Sequence, residues 1–280
     1  MESLVSTAWL AGELGAIDLR VVDATWFAPA DGRGARAEFE AAHIPGAVFF
    51  DIEEIADTGA GLPHMLPTQE KFASRAQSLG IGDGNRIVVY DNSPYRSAAR
   101  VWWMFKLFGV HQVAVLDGGF QKWRAEDRAT ESGKPAIRHR HFSVWQDKTL
   151  VRDLAAVRAN LTSKTEQVLD ARSAGRFQGK EPEPRPGLRP GHIPGAKNLP
   201  YGNLFNEDGT YKLGQSLKAE YEAAGIDLAK PVITTCGSGI TACTLLFGLH
   251  LLGKKDASVY DGSWAQWGGL PDVPVVTGSL

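Results

Sequence analysis

His43-Ile44-Pro45-Gly46-Ala47 returns as His192-Ile193-Pro194-Gly195-Ala196, and this repetition decides the organisation of the chain. Outward from the two copies, other pieces recur in the same order. Val21-Val22-Asp23-Ala24 matches Val168-Leu169-Asp170-Ala171, and Ile87-Val88-Val89-Tyr90-Asp91 matches Val232-Ile233-Thr234-Thr235-Cys236. Leu116-Asp117-Gly118-Gly119-Phe120 with Trp123 matches Tyr260-Asp261-Gly262-Ser263-Trp264 with Trp267. Order that persists through small insertions is the mark of one tandem duplication of a domain of roughly 130 residues. The total of 280 residues fits two such domains. The expected limits are 1–135 for the first copy, 136–150 for a linker and 151–280 for the second copy. The stretch Glu131 to Asp147 is polar and aperiodic, with Pro135 and Arg138-His139-Arg140-His141, and reads as a linker laid over the surface.

Each half alternates short apolar runs with amphipathic stretches. Arg20-Val21-Val22, Ile87 to Tyr90 and Val113 to Leu116 read as buried strands, and Gln69 to Leu79 and Ala98 to Phe108 as helices. Alternation of this kind predicts an α/β fold, with a mainly parallel sheet in each half covered by helices. In such sheets ligands sit off the carboxyl ends of the strands. Asp91 and Cys236 both stand there.

Composition narrows the function classes. Hydrophobic content of 43% and charged content of 22% describe a soluble globular chain. A net charge of −2 makes no case for nucleic acid or an anionic membrane as partner. Met1 to Ala16 carries Glu2 and Glu13 and no basic start, so no secretory signal is expected. The longest apolar stretch, Ile240 to Gly253, is too short to span a bilayer. Cys236 and Cys243 would lie about two helical turns apart, roughly 10 Å, too far for a disulfide. A cytoplasmic setting follows as the expectation. His139 and His141 are a metal-like pair without a third ligand, so a solvated basic patch is the preferred reading and no metal is expected.

The chemistry concentrates in Thr234-Thr235-Cys236-Gly237-Ser238-Gly239-Ile240-Thr241-Ala242. A cysteine between an apolar strand and a helix-like stretch, Thr241 to Leu252, faces loop N–H groups and the positive end of a helix. Both favour the thiolate. Gly237 and Gly239 read as backbone bent so that successive N–H groups point inward. A core cysteine would need no such glycines; Cys243, inside the apolar helix, reads as core packing. The first copy has Asp91 in place of Cys236, followed by Asn92-Ser93-Pro94-Tyr95-Arg96-Ser97, where Pro94 lacks an N–H. One active copy and one structural copy are therefore expected. His43 and His192, kept in both copies, read as structural.

Taken together, the Cys-Gly-Ser-Gly-Ile-Thr-Ala loop, both His-Ile-Pro-Gly-Ala segments and Val101-Trp102-Trp103-Met104-Phe105 resemble the tandem-domain rhodanese-type sulfurtransferases, in particular the 3-mercaptopyruvate sulfurtransferase branch. Gly175-Arg176-Phe177, Glu181-Pro182-Glu183-Pro184-Arg185 and Tyr260-Asp261-Gly262-Ser263-Trp264 belong to the same likeness, which covers nearly the whole chain. It implies two rhodanese-like domains. It also implies that Cys236 takes sulfur from a small-molecule donor as a persulfide and passes it to cyanide or to a thiol such as thioredoxin. Covalent catalysis of this kind uses no cofactor. Loop N–H groups of Gly237, Gly239, Ile240 and Thr241 would stabilise the persulfide anion, and Thr241 can also cap the helix.

The neutral Gly237-Ser238 replaces the Arg-Lys usual after the cysteine in thiosulfate-preferring relatives, which favours 3-mercaptopyruvate. Arg176 and Arg185 match the family's substrate arginines; for each, an exposed surface charge is the competing reading. An arginine fork suits a carboxylate. Ser238 and His64 match a relay whose acid falls near Glu53, the alternative for His64 being a histidine satisfied by backbone groups. Other readings are a thiosulfate:cyanide sulfurtransferase and a sulfur carrier without turnover. A cysteine-loop phosphatase would need an arginine where this chain has Ala242.

Overall fold

The structure is a computed structural model that describes residues 1–278. The chain divides into two compact units. Met1–Asp57, Leu66–Asp147 and Asn206–Tyr211 make the first, and Thr58–Met65, Lys148–Phe205 and Lys212–Leu280 the second. Each unit thus includes a short segment from the opposite half of the sequence. His64 groups with the second unit in this way.

In the first unit the elements are β1 (Leu4–Val5), α1 (Thr7–Glu13), β2 (Leu19–Asp23), α2 (Ala35–Ala41), β3 (Val48–Phe49) and α3 (Ile52–Ile55). They continue with α4 (Gln69–Ser78), β4 (Arg86–Tyr90), α5 (Ala98–Leu107), β5 (Val113–Leu116) and α6 (Gly119–Ala125). The second unit has β6 (Val151–Arg152), α7 (Leu154–Ser163), β7 (Gln167–Asp170), α8 (Ala174–Gln178) and β8 (Lys197–Asn198). After these come α9 (Gly214–Ala223), β9 (Val232–Thr235), α10 (Ile240–Leu251), β10 (Ala257–Tyr260) and α11 (Ser263–Trp267). The sheets run β1-β5-β4-β2-β3 and β6-β10-β9-β7-β8, every pairing parallel. The two orders superimpose strand for strand, so the duplication read from the sequence is a duplication of topology.

Local chemistry explains the elements. Runs such as Ile87-Val88-Val89 are β-branched and buried on both faces of the sheet, as central parallel strands require. Ser6, Asp51, Thr68, Asp153 and Ser173 each accept a backbone N–H at a helix start, worth about 1 kcal/mol apiece. Six core positions correspond between the copies. Val21, Phe39, Ile44, Val88, Phe120 and Trp123 in the first are Val168, Phe177, Ile193, Ile233, Trp264 and Trp267 in the second. Each such side chain contributes about 1.5–3 kcal/mol by leaving water.

The repeated histidines are part of this frame. His43 stacks on Phe39 at 4.1 Å and bonds its carbonyl through Nδ1 at 2.8 Å; His192 does the same with Phe177 at 3.7 Å and 2.8 Å. Burial holds the His192 imidazole below its ordinary pKa, which suits a neutral ring packed on an aromatic.

Residues up to Asp147, part of the expected linker, group with the first unit. Phe142 is buried against Phe72, and Ser143 donates to the Asp83 carboxylate through its N–H at 2.8 Å and its hydroxyl at 2.9 Å. His141 is exposed, with Nε2 3.8 Å from Asp83, and no group of three metal-binding side chains occurs among the described residues. Among those residues no helix is long and apolar enough to cross a membrane.

One buried carboxyl separates the copies. Asp170 is paired with Arg172, whereas Asp23 has Thr25 at the matching position and accepts its N–H at 2.8 Å. Burial pushes the Asp23 carboxyl up to about 6. The folded chain then holds a proton that the unfolded chain releases near pH 4. Stability from that proton is present below pH 4 and is lost as pH rises through about 6. Asp23→Asn should remove this loss. Between pH 4 and 6.5 the native chain should fall relative to the variant by up to about 2–3 kcal/mol in thermal unfolding. Parallel pH profiles would exclude the buried proton.

Candidate active site

The central strand β9 ends at Thr235, and Cys236 opens the loop to α10. This loop is pinned from the next strand–helix junction. The N–H groups of Trp264 and Ala265, at the start of α11, donate to the carbonyls of Cys236 at 2.9 Å and Gly237 at 2.8 Å. The Cys236 N–H donates to Ser263 Oγ at 3.2 Å, and that hydroxyl donates to the Tyr260 carbonyl at 2.9 Å. Ser263 holds φ +47°, a left-handed conformation uncommon for a residue with a Cβ. The matching residue in the first copy is Gly119, at φ +58°. The second copy thus accepts backbone strain at a residue whose hydroxyl bonds the cysteine's amide.

Cys236 is 2% exposed, and its Sγ accepts the Gly239 N–H at 3.1 Å. Gly239 has φ +85° and is the N-cap of α10, so the sulfur sits at the positive end of a twelve-residue helix. The backbone bends from Gly237 to Gly239, as read from the sequence. Only Gly239 is left-handed, and Gly237 serves a further purpose. A Cβ on Gly237 would lie 2.9 Å from Nη2 of Arg176, so its hydrogen makes room for a guanidinium against the loop. Thr241 as a cap is corrected. The cap is Gly239, without a side-chain bond, and Thr241 lies inside the first turn, partly exposed. Ile240, the first helical residue, is buried. Cys243 is buried, and its thiol donates to the Gly239 carbonyl at 3.2 Å; both cysteines are free.

His64 is brought to this loop. Its Nδ1 and Ser238 Oγ are hydrogen-bonded at 2.9 Å, both residues are buried, and His64 takes φ +60°. The serine donates when the ring carries its proton on Nε2. Glu53 lies in α3 of the first unit and accepts the Trp26 indole N–H at 2.7 Å. Arg185 is partly exposed in the irregular segment between α8 and β8.

Arg176, from α8, makes an ion pair with Glu183 at 2.6 Å, and Glu183 also binds Arg172 at 2.7 Å. Arg172 is enclosed, 4.4 Å over the Trp264 ring and 2.6 Å from Asp170. Burial would lower its pKa, but Asp170 and Glu183 outweigh that and hold it raised. Sequence reasoning missed Arg172, Glu183 and Ser263 as parts of the site. The signal was present where the duplicates differ: arginine against Thr25, and serine against Gly119.

In the first copy Asp91 fills the equivalent loop itself. Its carboxylate accepts the Ser93 N–H at 2.9 Å and the Ala98 N–H at 2.7 Å, and its carbonyl accepts from Phe120 at 2.9 Å.

Comparison with known proteins agrees with this architecture. The family model for the rhodanese-like domain matches twice, over residues 6–126 and 153–270. The chain is 44% identical to 3-mercaptopyruvate sulfurtransferase of Mus musculus over 271 residues, 95% of this chain and 91% of that protein. It is also 44% identical to thiosulfate sulfurtransferase of Cricetulus griseus over 273 residues, again 95% and 91%. The crystal structure of SseA from Escherichia coli, described with the 3-mercaptopyruvate sulfotransferases, matches with a TM-score of 0.87. That match has 37% identity and covers 94% of this chain and 99% of that one. The chain belongs to the rhodanese-like family, with two copies of the domain. Within that class it is a sulfurtransferase.

Gly237→Ala should test the space kept for Arg176. The added methyl meets the far end of a side chain, so the melting temperature should stay within about 3 °C. The displaced guanidinium should cost about tenfold or more in kcat/KM for an anionic donor. Unchanged kinetics would show that the close approach has no catalytic bearing.

Proposed function

We propose that this sulfurtransferase takes its sulfur from 3-mercaptopyruvate. The observation that carries the reading is the Arg176 guanidinium lying against Gly237, one residue from the cysteine. It offers a fork for one carboxylate beside a loop that is otherwise neutral, Gly237-Ser238. Cys236 sulfur attacks the donor thiol sulfur. The C–S bond breaks, and its electrons pass to the carbon as the enolate of pyruvate, which takes up a proton. The Ser238–His64 pair supports this step. Its hydroxyl can bond the carbonyl oxygen as charge gathers there, and the imidazole can relay the proton.

The Cys236 persulfide then gives its outer sulfur to cyanide or to a thiol such as thioredoxin, and Gly239 N–H with the α10 dipole steadies the sulfur anion. Arg185, Ile240 and Thr241 complete the donor pocket in this reading. The first copy, its loop closed on Asp91, is the structural one. Two free cysteines suit a reducing compartment, the cytoplasm. The hamster relative supports a second reading, thiosulfate as donor.

Donor-treated protein should gain one sulfur, about 32 Da, on Cys236 by mass spectrometry. Pyruvate release with multiple turnovers should be faster from 3-mercaptopyruvate than sulfite release from thiosulfate. Cys236→Ser should abolish both while Cys243→Ser keeps them. Equal or better rates with thiosulfate would overturn the donor, and a halt after one equivalent would indicate a carrier.

His64→Ala should lower kcat for 3-mercaptopyruvate about 10²-fold if the pair relays a proton, and should affect thiosulfate less, since its leaving group needs no proton on carbon. An unchanged kcat would remove His64 from the chemistry.

A further inference from the structure

Four charged side chains run in alternating order from the second sheet to the reactive loop. Asp170 and Arg172 are sealed, with side chains 1% and 0% exposed; Glu183 is 2% exposed and Arg176 is 23% exposed. Arg172 cannot move. Its Nε and Nη2 grip the Asp170 carboxylate at 2.6–3.1 Å, Nη2 also donates to the Gly191 carbonyl at 2.8 Å, and its central carbon lies 4.4 Å over the Trp264 ring. Its Nη1 donates to Glu183 Oε1 at 2.7 Å, which fixes that carboxylate in turn. The other face of the carboxylate takes Arg176 side-on, Oε2 from Nη2 at 2.6 Å and Oε1 from Nε at 3.3 Å.

Two consequences follow for Arg176. An arginine side chain carries about 2 kcal/mol of rotamer entropy, and here that freedom is removed before any ligand arrives. Its Nε–Nη2 edge is also used up. Among the described residues Nη1 has no partner, so the edge left for a ligand is Nη1 with the second hydrogen of Nη2, the nitrogen that lies against Gly237.

We propose that Glu183 is a positioning residue: anchored on Arg172, it holds Arg176 so that an anionic donor meets only the Nη1–Nη2 edge beside Cys236. This deepens the proposed function and rests on its reading of Arg176 as the carboxylate anchor.

Alkylation of Cys236 tests it without relying on the donor's identity. Iodoacetate and iodoacetamide carry the same leaving group and differ in one carboxylate, so the ratio of their rates at Cys236 reports an anchored cation nearby. Mass spectrometry assigns the site. Arg176→Ala should lower the iodoacetate-to-iodoacetamide ratio about five- to tenfold, Glu183→Ala about three- to fivefold, and Glu183→Gln by an intermediate amount because it keeps one acceptor. The direction is diagnostic. Deleting a negative charge would, through space alone, raise the attraction for iodoacetate, so a fall can come only from a misplaced guanidinium. In turnover, Glu183→Ala should raise donor KM about tenfold with kcat changed less than about threefold. Glu183→Gln is isosteric and carries the test if the alanine variant does not fold.

A wild-type ratio and KM in the Glu183 variants, with the ratio lost in Arg176→Ala, overturns the role of Glu183 alone. Equal slowing of both reagents marks a purely structural role and overturns it too. An unchanged ratio in Arg176→Ala removes the anchor, and the proposed donor site falls with it.

Discussion

The hydrogen bond from the Trp264 N–H to the Cys236 carbonyl, at 2.9 Å, is the constraint on which the site depends. A parallel sheet brings strand ends to one edge but leaves the following loops free. Here the start of the helix after one strand is tied to the loop after its neighbour. The same bond joins Phe120 N–H to the Asp91 carbonyl at 2.9 Å in the first copy. It demands a left-handed residue just before the donor, met by Gly119 in one copy and Ser263 in the other. A Cβ at Gly119 would sit 2.5 Å from the Asp91 carbonyl oxygen, so the first copy keeps glycine. The second tolerates a serine and gains a hydroxyl on the Cys236 amide.

Within this common frame the two loops are filled in opposite ways. Asp91 brings two oxygens and uses them on its own backbone, at Ser93 and Ala98, which leaves the loop internally satisfied. Burial raises its carboxyl pKa, Arg96 opposing. Cys236 brings one sulfur and takes one N–H, from Gly239. A shorter loop puts that sulfur at the end of α10 instead of leaving it to a polar stretch. The divergence extends below the loop. Asp23 is a buried carboxyl without an arginine, and Asp170 is one with Arg172 across it.

Much of this was legible in the residues. The strands read at Val113 to Leu116 and Ile87 to Tyr90, and the helices read from Gln69 and Ala98, agree with β5, β4, α4 and α5 to within a residue or two at their ends, because long β-branched or amphipathic runs carry their own period. The edge strands β1, β3, β6 and β8 are two residues long and show no alternation to read. The cysteine, Ser238 and His64 were named from motif, and the structure places the last two in hydrogen-bond contact. The second purpose of Gly237 was hidden, since a glycine that bends the chain and one that also makes room for a neighbour's guanidinium look the same in sequence. Glu183 was hidden by its setting among prolines, where a charged residue reads as exposed.

The buried charges beneath the loop do more than hold the sheet together. A sealed ion pair returns little net stability, because desolvating both partners consumes most of their attraction, and apolar residues of similar size would serve stability as well or better. Asp170, Arg172 and Glu183 are therefore poorly explained as cement for the sheet. What apolar packing cannot do is direct a cation. Each carboxylate here fixes the plane of a guanidinium, and each guanidinium fixes the next carboxylate, so orientation passes from β7 outward to Arg176, whose Nη1–Nη2 edge stays open among the described residues. The partly exposed member at the end of that chain is the one that touches the loop after Cys236.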